Sequence, residues 1–297
     1  VTVDGLLLID KPAGMTSHDV VGRVRRIART RKVGHTGTLD PDATGLLPIT
    51  IGKCTKLAKY LILDDKEYLF GVELGSATDT DDASGEVIAT APWDGVTEAA
   101  MRAALEGFRG EIMQRPPKYS AIKVDGRRAY DLAREGVEFE LPERPVRVDE
   151  LELTEVALPR ASGRMACGSG TYVRSLVRDL GEALGTRAHT TSIRRTRVGR
   201  FGIEEAVTLD ALDAGDVALA DALLPPARML VSLASWTADA HAISEFSFGR
   251  RVFAEGLDAE LDAHVAVVDE AGDLIAVALV EEVGDGVVKL KPSRVMI

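Results

Sequence analysis

Between Gly34 and Pro48 the chain reads GHTGTLDPDATGLLP, a loop carrying three glycines, two prolines, one imidazole and the carboxylate Asp40 directly before Pro41. Proline fixes its own φ and pushes the preceding residue toward extended backbone, so the sequence predicts Asp40 on a stiff, non-helical segment. A carboxylate held this way can act as nucleophile, as general base or as a helix cap. The same residue types also build an ordinary Asp-Pro turn beside a helix start, with Asp42 or Thr44 as the cap. A second acidic stretch, GSATDTDDASG at 75–85, brings Asp79, Asp81 and Asp82 close together. It lacks the glycine and terminal glutamate positions of a calcium loop. The five histidines and the two cysteines, Cys54 and Cys167, fall in no metal-ligand spacing, so no metal site is expected.

The elements that must position Asp40 are read from hydrophobic period. An apolar run over Val3–Ile9 predicts a buried strand, and Ser17 is placed to cap a helix through about Thr30. Leu46–Ile51 predicts a second buried strand, followed by a short helix over Thr55–Leu63. In KEYLFGVELG, Tyr68, Phe70, Val72 and Leu74 alternate with polar or small residues, the period of a strand. Thr97 caps an amphipathic helix, and QRPPKYSAIK leads through Gly126 into the basic helix RRAYDLAREG. Two antiparallel strands, 144–158 and 163–167, precede the helix TYVRSLVRDLGEAL, with Thr171 as its cap and Gly185 beyond its end. Arg174 falls in the first turn of that helix, where positive charge is disfavoured, so an anionic partner is expected. His189–Phe201 predicts a further strand.

Size and charge narrow the class. With 297 residues, 45% hydrophobic and 28% charged, the chain suits one catalytic domain plus a small appendage. No apolar run is long enough to span a bilayer, and the start has no basic flank before its short apolar run, so neither membrane span nor signal peptide is expected. Two distant cysteines point to a reduced, cytoplasmic protein. The net charge is −11, but residues 1–203 hold 30 Lys and Arg against 29 Asp and Glu, and residues 204–297 hold 6 against 18. Acidity therefore belongs to the tail third. Basic clusters at Arg23–Lys32 and Arg187–Arg200 have the composition of a phosphate-binding footprint, or of solvated surface. The pair Pro225-Pro226 marks the best boundary, dividing a domain over 1–226 from one over 230–297, where Val265–Val268, Leu274–Val280 and Val287–Leu290 read as short strands.

The order of these motifs closely resembles that of the TruB-type tRNA pseudouridine synthases. GHTGTLDPDATGLLP is similar to the family's catalytic motif and implies that Asp40 is the catalytic residue. LLLIDKPAGMTSHDVV resembles the opening motif, with Lys11 and Pro12, and KEYLFGVELG the motif whose Tyr68 lies against the target base. GTYVRSLVRDLG resembles the motif whose Arg174 pairs with the catalytic Asp, with Tyr172 in the adjoining substrate-contacting position. PPKYSAIKVDGRRAYDLAREG resembles an RNA-clamping insertion at about 114–145, including Lys123 and Tyr130. Ile193 stands where the family carries Leu, before Arg194 and Arg195, and His35 is placed to fill the space an extruded base vacates.

The resemblance implies an α+β fold, with a mixed, largely antiparallel sheet, flanking helices and a small PUA-like C-terminal β domain. It implies isomerisation of uridine 55 in the tRNA T loop by base flipping, with no cofactor, by a monomer whose partner is the T arm. It leaves open whether Asp40 attacks C1′ or removes a proton, and makes Tyr68 a candidate to take the C5 proton. Two competing readings are a tRNA-refolding chaperone with secondary enzymatic activity and the catalytic subunit of a guide-RNA particle. The missing long basic tail favours autonomous action over the latter.

Overall fold

The computed structural model describes residues 3–62, 64–284 and 286–297. The strand Gly5–Lys11 is almost wholly buried. Its apolar residues alternate between two cores: Leu7 and Ile9 join the helix-side cluster, while Leu6 and Leu8 join a second cluster on the opposite face. A strand buried on both faces reads as a continuous apolar run, which is why LLLI carries no polar alternation. It pairs antiparallel with Thr44–Ile51, Gly5 opposite Ile51 and Lys11 opposite Gly45. The start of one strand and the end of the other thereby bracket the Asp40 loop.

These strands belong to an eleven-stranded mixed sheet. Along its main path the order is Val207–Thr208, Gly5–Lys11, Thr44–Ile51, Ala188–Val198, Lys66–Leu74, Arg160–Cys167, Arg144–Ala157 and Gly110–Gln114. Two contacts in it are parallel, Gly5–Lys11 with Val207–Thr208 and Ala188–Val198 with Thr44–Ile51; the other pairings are antiparallel. The parallel contact beside the Asp40 loop demands glycine. At Gly45, φ is +100° and an added Cβ would lie 2.2 Å from the Arg195 carbonyl oxygen. Only a residue without a side chain admits that approach.

Helices Ser17–Ile27, Glu98–Leu105 and Val173–Ala183 supply Val20, Val21, Val24, Met101, Leu105, Leu176, Val177 and Leu180 to the helix-side core. The expected caps hold at Thr97, whose Oγ1 accepts from Ala100 N–H, and fail at two places. Thr16, not Ser17, caps the first helix in a reciprocal box with Asp19. Thr171 does not cap Val173–Ala183, whose N-cap is Tyr172 without a side-chain bond. Both displaced hydroxyls have other partners: Thr171 donates to the Gly168 carbonyl, and Ser17 bonds the Asp40 loop. The predicted helix over Thr55–Leu63 is a 3₁₀ segment, Gly52–Leu57, running into the helix Ala58–Ile62; Leu63 lies outside the described residues.

Beyond Leu224 the chain builds a separate five-stranded sheet: Ala234–Thr237, His264–Val268, Leu274–Gly284, Val287–Val295 and Val252–Glu255 in spatial order. Three of these strands are legible from the sequence. Ala234–Thr237 and Val252–Glu255 are not, because each is four residues long, and neither is the helix Ala240–Ser247, which Asp239 caps. This sheet has its own core around Phe246, Val265 and Leu290. It also docks on the back of the large sheet through Ala266, Leu274, Val277 and Met296, which meet Leu6, Leu8, Leu46 and Phe201. Phe201 is fully buried there, so Phe201→Ala is expected to cost about 3–5 kcal/mol in urea unfolding. A loss below about 1 kcal/mol would mean that the contact between the sheets contributes little.

Candidate active site

The Asp40 loop is fastened at every turn. Lys11, at the end of the first strand, is fully buried and donates from Nζ to the carbonyls of Pro12 (2.8 Å), Met15 (2.7 Å) and Pro41 (2.8 Å). Burial pulls its pKa down to about 8, opposed by Asp42 and Asp40, so the ammonium form persists at neutral pH. Ser17 Oγ accepts from Leu39 N–H (2.8 Å) and donates to Leu39 C=O (3.0 Å). Buried side chains therefore hold the Leu39–Asp40 peptide and the Pro41 carbonyl, while the Asp40 carbonyl accepts from Ala43 N–H. Arg195, 1% exposed, donates from Nε to Leu46 C=O (2.7 Å) and from its terminal nitrogens to Gly37 C=O (3.1 Å) and Thr38 C=O (3.5 Å).

Lys11 spends its three N–H donors on backbone carbonyls, whereas Arg195, bonded to three carbonyls, still lines the cavity into which Asp40 opens. The two adjacent arginines diverge. Neighbouring residues in a strand face opposite ways, and Arg194 instead pairs through two bonds with Asp10 (2.8 and 3.1 Å), beside a separate cavity of about 220 Å³. Of the second basic cluster only Arg195 is buried; Arg187 pairs with Glu182, Arg197 donates to Gly199 C=O and lies near Glu67, and Arg200 is exposed. In the first cluster Arg23 pairs with Asp210 (2.8 Å) and Asp213, while Arg25 donates to Val33 C=O.

Asp40 opens into a cavity of about 390 Å³ whose walls include Tyr68, Ile193, Tyr172, Arg174 and Arg195. Arg174 is 3% exposed. Its Nε lies 3.0 Å from Asp40 Oδ2, an ion pair without the alignment of a hydrogen bond. Its terminal nitrogens donate to Thr80 C=O (2.7 Å) and Tyr119 C=O (2.8 Å), and one lies 3.5 Å from Asp82 Oδ2. One guanidinium therefore joins the Asp40 loop, the acidic 75–85 loop and the root of the 114–145 insertion. Asp82 is the residue that sequence reasoning missed. Its signal was present in the expected anionic partner for Arg174, but the acidic loop was weighed only as a calcium site.

Burial raises the Asp40 pKa above its ordinary 3.8, Arg174 pulls it back, and Asp82 pushes it up again. About a third of the side chain remains open to the cavity. Tyr68 is 8% exposed, and burial raises its pKa above 10.0, with Arg195 opposing. Burial thus favours the neutral phenol, whose ring forms part of the cavity wall. Tyr172 is held by Gln114, whose amide oxygen accepts from Tyr172 N–H (2.8 Å) and whose amide nitrogen donates to Tyr172 C=O (3.1 Å). His35 is half-buried on the strand Val33–His35, outside the residues lining the cavity; burial and the nearby Arg195 charge lower its pKa. Lys123 is exposed on a small hairpin, turned by Asp125 and Gly126, both at positive φ.

A carboxylate paired with a buried guanidinium thus sits at the rim of a nucleotide-sized cavity on a mixed sheet. The family model described as "TruB family pseudouridylate synthase (N terminal domain)" matches residues 25–173, and that for "tRNA pseudouridylate synthase B C-terminal domain" matches residues 174–231. The chain belongs to the TruB family of pseudouridylate synthases and is an isomerase. It is 51% identical over 212 residues to tRNA pseudouridine synthase B of Opitutus terrae, covering 71% of this chain and 88% of that one. To the enzyme of the same name from Mycobacterium avium it is 53% identical over 215 residues, covering 70% and 69%. A solved Cbf5–Nop10–Gar1 complex contains a chain that superposes with a TM-score of 0.76 at 25% identity, covering 99% of this chain and 85% of that one.

The electrostatics set an expected pH dependence. A raised carboxylate pKa means that activity needing the anion is lost as pH falls through a value above 3.8. Arg174→Gln removes the charge favouring the anion and is expected to move this acid limb to higher pH; an unmoved limb would assign it to another group. Ser17→Ala strands the buried Leu39 N–H, and should cost about 1–3 kcal/mol in chemical denaturation. If Ser17→Ala is neutral in stability, the Leu39 contact is not holding the loop.

Proposed function

We propose that the protein converts uridine 55 in the T loop of tRNA to pseudouridine, with Asp40 as the catalytic carboxylate. The observation that carries the reading is Asp40 at the rim of the 390 Å³ cavity, 3.0 Å from a buried arginine. Uridine isomerisation in tRNA is the activity named for the relatives above. The T-loop position and the residue roles are our own reading, resting on the motif resemblance and the cavity.

The chemistry cleaves C1′–N1, turns the uracil and joins C1′ to C5, with no change of oxidation state. C5 loses a proton in the last step, and the N1 left by cleavage gains one. Positive character at C1′ during cleavage suits a carboxylate, as in glycoside hydrolysis. Whether Asp40 attacks C1′ or takes a sugar proton, it must be ionised, and Arg174 favours that state against the pull of burial. A neutral Tyr68 and Ile193 provide apolar faces for the uracil. Tyr68 stays the candidate to take the C5 proton in the last step, and burial favours the neutral phenol it starts from.

A T-loop uridine is stacked within folded RNA, so it must be extruded at a cost of a few kcal/mol. In our reading His35, neutral and next to the loop, occupies the space the base leaves. Lys123 and the exposed cations Arg26, Arg29, Arg31 and Lys32 grip phosphates around the T arm. We read the protein as a monomer acting in the cytoplasm; no described helix is long and apolar enough to cross a membrane. The catalytic domain of this reading runs over 1–226 and the small domain over 230–297.

The test is Asp40→Asn. The variant is expected to bind a T-arm stem-loop with unchanged affinity and to form pseudouridine at least a thousandfold more slowly, measured by chemical mapping of the RNA. Turnover within tenfold of the native rate would remove Asp40 from the mechanism.

A further inference from the structure

Four cationic residues line the cavity that holds Asp40: Lys66, Arg144, Arg174 and Arg195. Three have their donors engaged by the protein. Arg174 is held by Asp40, Asp82 and the carbonyls of Thr80 and Tyr119, Arg195 bonds the carbonyls of Leu46, Gly37 and Thr38, and Lys66, 8% exposed, donates to the carbonyls of Ile62 (3.0 Å) and Asp64. Arg144 differs. It is half-buried at the start of the strand Arg144–Ala157 and makes one hydrogen bond, from a terminal nitrogen to Gly170 C=O (2.6 Å). Among the described residues no carboxylate pairs with it, although the surrounding arginines 115, 147, 164 and 178 all have one.

Its geometry is nevertheless fixed. The guanidinium carbon lies 5.2 Å from the centre of the Tyr172 ring, and Tyr172 is itself anchored at both backbone polar groups by Gln114. A guanidinium has five N–H donors in a planar fork, matched to two oxygens of one phosphate. Stacking on an aromatic ring and one carbonyl anchor orient that fork in advance, which limits the entropy lost on binding. A charge left unneutralised at the edge of a nucleotide cavity, with most of its donors open, fits an anion that arrives with the substrate.

We propose that Arg144 is the phosphate-binding residue at the mouth of the active-site cavity, gripping a phosphodiester that flanks the target uridine while the base enters. The proposal rests on the reading of this cavity as the uridine site. It makes Arg144 a positioning residue: it holds the backbone on which C1′ is presented to Asp40 and takes no part in bond making.

The experiment uses the full chain and a T-arm stem-loop, with native protein and Arg144→Gln compared over a range of salt concentrations. Neutralising one single-strand phosphate contact lowers the slope of log affinity against log salt by about 0.7. Arg144→Gln should show that reduction, bind the stem-loop roughly tenfold or more weakly at low salt, and keep its melting temperature. Stem-loops with a single methylphosphonate on the 5′ or the 3′ side of the target uridine identify the phosphate. At one of these positions the native protein loses the same affinity and Arg144→Gln loses nothing more. An unchanged salt slope, or equal losses by both proteins at both positions, would overturn the proposal. A native protein that neither binds nor modifies the unsubstituted stem-loop would instead overturn the uridine-site reading on which it rests.

Discussion

A guanidinium with 3% of its surface exposed must find counter-charge and acceptors inside the protein, because stranding it there would cost several kcal/mol. Arg174 meets this demand with two carboxylates, Asp40 and Asp82, and with two carbonyls, from Thr80 and Tyr119. These partners come from three separate stretches of chain, so one buried charge fixes where three loops meet. The same charge opposes the desolvation that raises the Asp40 pKa. Structural and chemical roles thus coincide in one side chain.

The large sheet exists, in functional terms, to bring that junction together. Buried on both faces, the first strand carries Lys11 to a point where its ammonium ties Pro41, and its neighbour begins just after the loop. The strand Ala188–Val198 contributes Arg195 to one face and Arg194 to the other, a consequence of the two-residue period. Gly45 lets that strand come close enough for Arg195 to reach under the loop. The acidic small sheet sits behind this assembly, in contact with Leu6, Leu8 and Leu46, and lines no part of the cavity. Its negative charge therefore stands away from the residues read as gripping RNA.

Much of this was legible in the sequence, for identifiable reasons. The strand Lys66–Leu74 carries an unbroken hydrophobic period and Arg144–Ala157 one interrupted at two bulges, and the misplaced charge of Arg174 announced a partner before any geometry was known. What the sequence concealed was competition for polar groups. Ser17 and Thr171 look like caps, yet a hydroxyl near a helix start has other acceptors within reach, and the Leu39 and Gly168 peptides took them. Arg195 reads as part of a phosphate-binding footprint because composition does not reveal burial. Asp82 was hidden because local spacing was tested against one metal motif, whereas its partner Arg174 is distant in sequence. Ala234–Thr237 and Val252–Glu255 are too short for periodicity to register.

The account depends on the base leaving its stack and presenting its sugar to Asp40. The measurement that tests this most directly is the structure of the Asp40→Asn protein bound to an unmodified T-arm stem-loop. The account predicts the target uracil between Tyr68 and Ile193, with C1′ within about 4 Å of the residue 40 side chain, the contact range of packed heavy atoms. A uridine still stacked in its loop, with the cavity filled by solvent, would contradict it.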